Sequence, residues 1–362
     1  MIEGQLLILR QKCEGIFEIQ GKVLYLYQMY LKFRRTSMKI LGVSLGTKNG
    51  NNDTMCRVAL EAAKARGAEI EFIHLMDWDI QYCSGCVACS RGLVMGKGMI
   101  CTRQDDFKAF YEKIVEADGV LFVDPIFESG ATGLYHSITD RMGPGHDTGM
   151  LLMLDGKLKE AGKEGLNPRL FQQKAVSFVG IGGSDWAVRC ETDHAMFAMS
   201  AGWKVVNNEF FCWCKDVIMQ DDKIERMKEI GNNLVDAAQQ IIDTDLKIMG
   251  SEPVSLWKGK EGACPHCQGN NFYIYPGTTN CVCELCGLEG TLEIVDGAFK
   301  FKYDPATEHH AHDILSGKKL HGDDIFENEG RLMNLYKDEE FKNRKAHYTA
   351  VCEPTPAPSK QK

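Results

Sequence analysis

Residues Met38 to Arg66, MKILGVSLGTKNGNNDTMCRVALEAAKAR, restrict the choice of fold more than any other stretch. Ile40, Leu41, Gly42 and Val43 form an apolar run without alternation, the composition of a strand buried on both faces. A loop rich in Ser, Gly, Thr and Asn follows from Ser44 to Thr54. Met55, Val58, Ala59, Ala62 and Ala63 then recur at helical spacing, and Gly67 supplies a C-terminal cap. A strand, a polar glycine loop and a helix in that order set backbone N–H groups at a helix N-terminus, where an anion is attracted. No Gly-Lys-Ser/Thr closes the loop and no G-x-G-x-x-G runs through it, so neither a P-loop nor a dinucleotide fingerprint is present. Ser44, Thr47, Asn49, Asn51, Asn52 and Thr54 offer hydroxyls and amides instead, which suits a monophosphate arriving without magnesium. A capped helix with no ligand is the other reading of the same residues.

The rest of the chain repeats the pattern. Ala68–Leu75 reads as a second strand, Gly119–Val123 as a third stopped by Pro125, Ala175–Gly180 as a fourth and Lys204–Val206 as a fifth. Between them lie helical patterns: one after Asp105 or Asp106 with Phe107, Phe110, Tyr111, Ile114 and Val115 on its apolar face, then Leu134–Met142, Trp186–Ala201 and Asp222–Asp243. Residues 143–172 form an insertion of the length that carries a lid or a short helix. Strands alternating with helices predict an α/β fold with a doubly wound, five-stranded parallel sheet. Ligands should then gather at the carboxyl ends of the strands, at Ser44–Asn52, Asp124–Gly130 and Gly180–Asp185. The expected segments are an N-terminal extension at 1–37, this domain at 38–248 with a cysteine loop at 82–101, and a linker at 249–262. A four-cysteine module at 263–295, a charged region at 296–350 and a disordered tail at 351–362 follow. The extension is read either as an upstream addition or as a docking helix.

Eight of the fifteen cysteines fall into two tight clusters rather than a dispersed disulfide framework. Cys264-x2-Cys267 and Cys283-x2-Cys286, fifteen residues apart, have the spacing of a tetrahedral four-thiolate site. A module of about thirty residues cannot bury enough core unaided, so the metal supplies much of its folding energy. Zinc makes it a zinc-ribbon-like module; iron, with Cys286-Gly287 similar to a rubredoxin knuckle, is the alternative. Cys281 is left over, and His266 is read as exposed rather than as a ligand. Cys83, Cys86 and Cys89, at steps of three, can wrap one small iron–sulfur cluster with Cys101 as a fourth ligand. Metal clusters imply a reducing compartment, hence the cytoplasm. A net charge of −8 gives no general affinity for nucleic acid or an anionic membrane surface. No run reaches the roughly 18 apolar residues of a membrane span, and 1–37 lacks the form of a signal peptide.

At its three strand ends the sequence resembles the NADPH-dependent FMN reductase family, of flavodoxin-like fold. With the cysteine loop it is most similar to the iron–sulfur flavoproteins of that family, over about residues 38–243. The resemblance implies that Ser44, Thr47, Asn49, Gly50, Asn51 and Asn52 hold the phosphate of FMN, with Leu45-Gly46 and Asn52 departing from the family's usual residues. It implies that Pro125, Ile126, Phe127, Glu128, Ser129 and Gly130 edge the flavin ring, with Phe127 packing nearby; ordinary core packing is the other reading of Phe127. Gly180, Ile181, Gly182 and Gly183 match the glycines that approach the flavin. Asp140-Arg141 matches an Asp-Arg pair read as a structural ion pair.

The implied activity is that of an FMN-dependent NAD(P)H oxidoreductase, passing electrons to a [4Fe–4S] cluster at Cys83, Cys86, Cys89 and Cys101, to a redox protein, or to a small organic acceptor. Such proteins are expected to be homo-oligomers. An acceptor would need a proton donor, for which His136, His146 and Glu128 are candidates, and the Trp186, Cys190 and His194 helix could also face the pocket. A flavin or iron–sulfur redox sensor without turnover, its ribbon docking a protein partner, is the competing expectation.

Overall fold

The computed structural model describes residues 37–95, 101–244 and 255–356. The extension at 1–36, part of the expected linker (249–254) and the end of the tail (357–362) lie outside the described residues.

Five parallel strands carry the first sheet: β1 (Lys39–Ser44), β2 (Glu69–His74), β3 (Gly119–Pro125), β4 (Ala175–Ile181) and β5 (Lys204–Phe211). Their order is β2-β1-β3-β4-β5, the flavodoxin-like arrangement. The central strands β1 and β4 are buried at every residue, and β3 at all but Pro125, which is why they read as continuous apolar runs. The edge strands β2 and β5 are half-covered, and polar residues interrupt them.

Helices α1 (Asn51–Ala65) and, much later, α7 (Asp221–Asp243) pack together on one face. The other face is covered by α3 (Phe107–Glu116), α4 (Gly133–His146) and α6 (Cys190–Ala201), with the short α2 (Ala88–Val94) packed on α4. Phe122, Phe178, Tyr135 and Phe197 form the aromatic centre of that second face, with ring centroids 4.8–6.4 Å apart. Residues 143–172 hold a real helix, α5 (Thr148–Glu160), capped by the Asp147 carboxylate.

The approach of α1 to α7 is set by Gly231, where any β-carbon would run into the Ala59 carbonyl. Backbone cannot move aside as a side-chain tip can. Gly231→Val is therefore expected to destabilise the domain by about 1–3 kcal/mol, seen as a fall in melting temperature of several degrees with the circular dichroism of the folded state retained.

A second, antiparallel sheet follows: β6 (Phe272–Ile274), β7 (Asn280–Cys283), β8 (Glu289–Val295) and β9 (Ala298–Lys302). It runs beyond the expected limit of 295, because Phe301 of β9 fills the small core beside Phe272, with ring centroids 4.8 Å apart. Residues 255–262 behave as part of the fold rather than as a free linker. Leu256 is buried, and Lys258 N–H donates to the Val206 carbonyl of β5 at 2.7 Å.

The sheet rests on α6, whose Ala195 and Met199 join Cys264, Cys281, Cys283, Cys286 and Leu288 in one apolar cluster. Helix α8 (Leu315–Leu335) returns to α5, placing Ile325 and Phe326 on Met150 and Leu154, and Lys318 forms a buried ion pair with Asp147 at 3.0 Å. A last helix, α9 (Glu339–Thr349), buries none of its residues.

Candidate functional site

The loop between β1 and α1 turns on Asn49, whose φ of +56° is left-handed, and on a Gly50 N–H bond to the Thr47 carbonyl at 2.8 Å. Gly50 is the N-cap of α1, and no side chain caps that end. Ser44 Oγ and Asn52 Nδ2 are buried there without a hydrogen-bond partner. An uncapped helix N-terminus beside two unsatisfied polar atoms fits an anionic group held by N–H, hydroxyl and amide donors.

Beneath this loop lies Asp53, a residue that sequence reasoning missed. Its buried carboxylate accepts the Asn49 N–H at 2.7 Å and faces His74 Nδ1 at 2.9 Å. Burial alone would raise its pKa. The nearby Ser44 hydroxyl, although outside hydrogen-bond geometry, and the bonds to His74 and Asn49 outweigh that and hold the carboxyl below the ordinary value.

Asn51 has a different task. Its Nδ2 donates to the carbonyls of Cys214 and Lys215, at 2.9 and 3.0 Å. The loop after β5 thereby becomes a fourth wall of the site.

The loop after β3 is a tight hairpin. Phe127 and Gly130 exchange two backbone hydrogen bonds, and the central residues Glu128 and Ser129 both have positive φ, +48° and +70°. Those angles define a type I′ turn built without the glycine that usually relieves it, so the loop stores strain at the site. The Phe127 ring is 65% exposed, which excludes core packing; Glu128 is exposed as well. The Asp193 carboxylate accepts the Ala131 N–H at 3.1 Å, and Arg189 N–H donates to the Ser129 carbonyl at 3.0 Å. The first turn of α6 thus carries this loop.

It also carries the loop after β4. Gly180 has no room for a β-carbon because Cys190 Sγ fills the place. Gly182 is joined to β5 and the loop beyond it by bonds from its N–H to Phe211 O (2.8 Å) and from Cys214 N–H to its carbonyl (3.0 Å). Pro125 and Ile126 are half-buried, Ile181 and Gly182 are buried, and Gly183 is open.

Below both loops sits a buried triad. Asp124 accepts two bonds from Thr132, N–H at 2.9 Å and Oγ1 at 2.7 Å, and meets His194 Nε2 at 3.3 Å. His194 Nδ1 lies 3.5 Å from Cys190 Sγ. Burial alone would lower the His194 pKa. The Cys190 sulfur and the Asp124 carboxylate outweigh it and push the value up to about 10.

The other candidates fall differently. His136 is part-exposed, 3.7 Å from Asp193. His146 is buried against Phe107 and Tyr111, and desolvation drives its pKa down to about 3, so it is a neutral core residue and no proton donor. Arg141 pairs with Asp105 instead of the exposed Asp140 and also donates to Cys101 Sγ at 3.3 Å.

The cysteine groups behave in two ways. The sulfurs of Cys264, Cys267, Cys283 and Cys286 lie within 4.8 Å of one another, with Cys264–Cys286 at 3.9 Å and Cys267–Cys283 at 3.5 Å. A metal–sulfur bond of about 2.3 Å gives tetrahedral edges near 3.8 Å, so the four residues fit one ion. Cys281 is buried beside them as packing. His266, expected to be exposed, has a buried side chain between Glu308 (3.0 Å) and Asp313 (2.7 Å) and ties the knuckle to the segment before α8. Among the described residues, Cys83, Cys86, Cys89 and Cys101 form no comparable group; the first two and Cys101 are exposed and Cys89 is half-buried.

Comparison with known proteins gives the following likenesses. The family described as "NADPH-dependent FMN reductase" matches residues 38–216. A solved flavone reductase is 38% identical, covers 88% of this chain and all of its own, and superposes with a TM-score of 0.77. A flavone synthase of Aspergillus candidus is 27% identical over 303 residues, 80% of this chain and 88% of its own. An iron–sulfur flavoprotein of Archaeoglobus fulgidus is 28% identical over 150 residues, 41% of this chain and 64% of its own. One of Methanocaldococcus jannaschii is 33% identical over 108 residues, 30% and 53% respectively. The chain therefore spans between half and two thirds of the length of these iron–sulfur flavoproteins. Among the described residues, no helix is long and apolar enough to cross a membrane.

Proposed function

Because the chain belongs to the NADPH-dependent FMN reductase family, we propose that it is an FMN-dependent NAD(P)H oxidoreductase whose electrons go to a flat aromatic acceptor of the flavone kind. The observation carrying this reading is the likeness to a flavone reductase over that protein's full length and 88% of this chain. Bound FMN supplies the two-electron link between nicotinamide and acceptor. The chain's own residues supply the setting. Ser44, Thr47, Asn49, Gly50 and Asn52 hold the phosphate at the uncapped end of α1, to which Asn51 adds its backbone N–H while its side chain ties in the loop after β5. The hairpin Pro125–Gly130 edges the ring, and Gly180, Gly182 and Gly183 let backbone come close. Glu128, which is exposed, and His136, which is part-exposed, are the groups able to hand a proton to an acceptor.

The test is an anaerobic assay with NADH or NADPH and a flavone, following nicotinamide oxidation and a product heavier by two hydrogens. Wild-type protein that takes up no FMN at micromolar concentration, on the order of ordinary cofactor affinities, would end this reading. Asn51→Ala removes both ties between the phosphate loop and the loop after β5. It is expected to weaken FMN binding about tenfold, the scale of one or two lost hydrogen bonds, by fluorescence titration.

Zinc is the metal proposed for Cys264, Cys267, Cys283 and Cys286, with iron as the alternative that a red, redox-active protein would reveal. A [4Fe–4S] cluster at Cys83, Cys86, Cys89 and Cys101 is the second reading of where electrons leave. The spacing of Cys83, Cys86 and Cys89 supports it, and Arg141 holds the Cys101 sulfur by a hydrogen bond at 3.3 Å. Acid-labile sulfide in anaerobically purified protein decides it. A cytoplasmic, homo-oligomeric protein without nucleic-acid or membrane partners completes the proposal, the oligomer being checked by light scattering. Flavin uptake without turnover on any acceptor would favour the sensor instead.

A further inference from the structure

The loop after β5 is pinned on three sides. Asn51 of the phosphate loop holds the Cys214 and Lys215 carbonyls, Gly182 holds Cys214 N–H, and Gln220 Nε2 donates to the Trp213 carbonyl at 3.0 Å. Between these pins Trp213 has a φ of +58°. A bulky L-residue in the left-handed region costs on the order of 1–2 kcal/mol. In return the fold obtains little packing from that side chain: Trp213 is 64% exposed and stacks on no other ring among the described residues.

The neighbouring loop also exposes a tryptophan, without the backbone strain. Trp186, just beyond Gly182 and Gly183, is 61% exposed. The two loops touch, since Lys215 Cε lies 3.6 Å from where a β-carbon on Gly183 would stand. A tryptophan ring is the largest apolar face a chain can offer, and one held out in water at an energetic cost marks a surface that something flat covers.

We propose that Trp213, with Trp186 on the adjoining loop, is the specificity-determining face that receives the planar aromatic acceptor. This rests on the reading of the chain as an FMN-dependent reductase. The reaction served moves one hydride and one proton onto a carbon–carbon double bond of the acceptor: NAD(P)H, the acceptor and a proton become NAD(P)+ and the acceptor reduced by two hydrogens. Trp213 forms and breaks no bond in it; it fixes where the acceptor's rings lie.

Two properties separate this role from packing. Trp213→Gly removes the ring and the backbone strain together, so the melting temperature should hold or rise, whereas loss of a packing tryptophan lowers it. The same variant should raise the KM for a flavone at least tenfold, with FMN affinity within twofold of wild type. Trp213→Phe should recover most of the lost acceptor binding, because a ring remains. In wild-type protein, added flavone should quench the indole fluorescence, and that quenching should shrink in Trp213→Phe.

An unchanged flavone KM in Trp213→Gly overturns the proposal. So does a weakened FMN affinity with unchanged KM, which would assign the ring to the cofactor. A tenfold loss in which Trp213→Gly also melts lower and Trp213→Phe rescues nothing overturns it too, as a structural effect. Titration of wild-type protein with FMN comes first: failure there removes the reductase reading itself and is distinct from any of these results.

Discussion

Cys283→Ser should leave the C-terminal sheet unfolded and its metal lost. Cys283 is fully buried, sits at the end of β7, and has Cys267 Sγ at 3.5 Å. The cluster around the four sulfurs is small: Leu285, Leu288 and Phe301 are the chief apolar side chains that the module itself buries. Such a core is far below what a domain of this size needs. With the proposed zinc bound, a binding energy of about 10–16 kcal/mol, the scale in small modules, would supply the folding energy, and removing one thiolate would forfeit most of it. Metal content per chain and proteolysis within 263–302 are the measurements. Cys281→Ser is the control, since Cys281 is buried beside the quartet but outside it, and should keep its metal. A Cys283→Ser protein that retains one tightly held ion and an uncut module would refute the account.

The second large effect concerns His194. In His194→Gln the buried Asp124 carboxylate keeps its two Thr132 donors but loses its cationic partner. Breaking a buried pair from one side costs about 3–5 kcal/mol, so the variant should melt well below wild type at pH 7. The sign of the pH dependence follows from the direction of the shift. The imidazole pKa is about 10 in the folded protein, against about 6.5 when unfolded. The folded state binds the proton more tightly, so this stabilisation is complete below about pH 6.5. It declines as pH rises and is gone once pH passes about 10. Melting curves from pH 6 to 10.5 should show wild type converging towards His194→Gln at the alkaline end. Parallel curves across that range would show that the proton on His194 contributes nothing.

The legible parts of the site were those whose signal is local. The loop between β1 and α1 declares itself through one strand, one run of Ser, Thr, Gly and Asn, and one helix, all within about thirty residues. The glycines at 180–183 stand at the carboxyl end of a parallel strand, where the topology leads one to expect a ligand; their match to the flavin-approaching glycines came from the resemblance alone. The loop after β5 carries no such signal. It is held by Asn51 and Gly182, so only the folded chain brings it, and Trp213 with it, beside the loops after β1 and β4. β5 itself reads as three residues because Asn207, Asn208 and Glu209 interrupt its apolar run. They are accommodated because Asn208 bonds to the Glu191 carbonyl and Glu209 to Arg226. The same distance hid Asp124 from His194, seventy residues away, and gave Arg141 its true partner in Asp105.

Helix α6 is shared property. Towards the parallel sheet it presents Phe197 and Ala198 to the aromatic centre; towards the small sheet it presents Ala195 and Met199. Neither side can melt without baring a face of the same cylinder to water. Heating should therefore produce a single calorimetric endotherm, in place of the two expected of modules joined only by a tether.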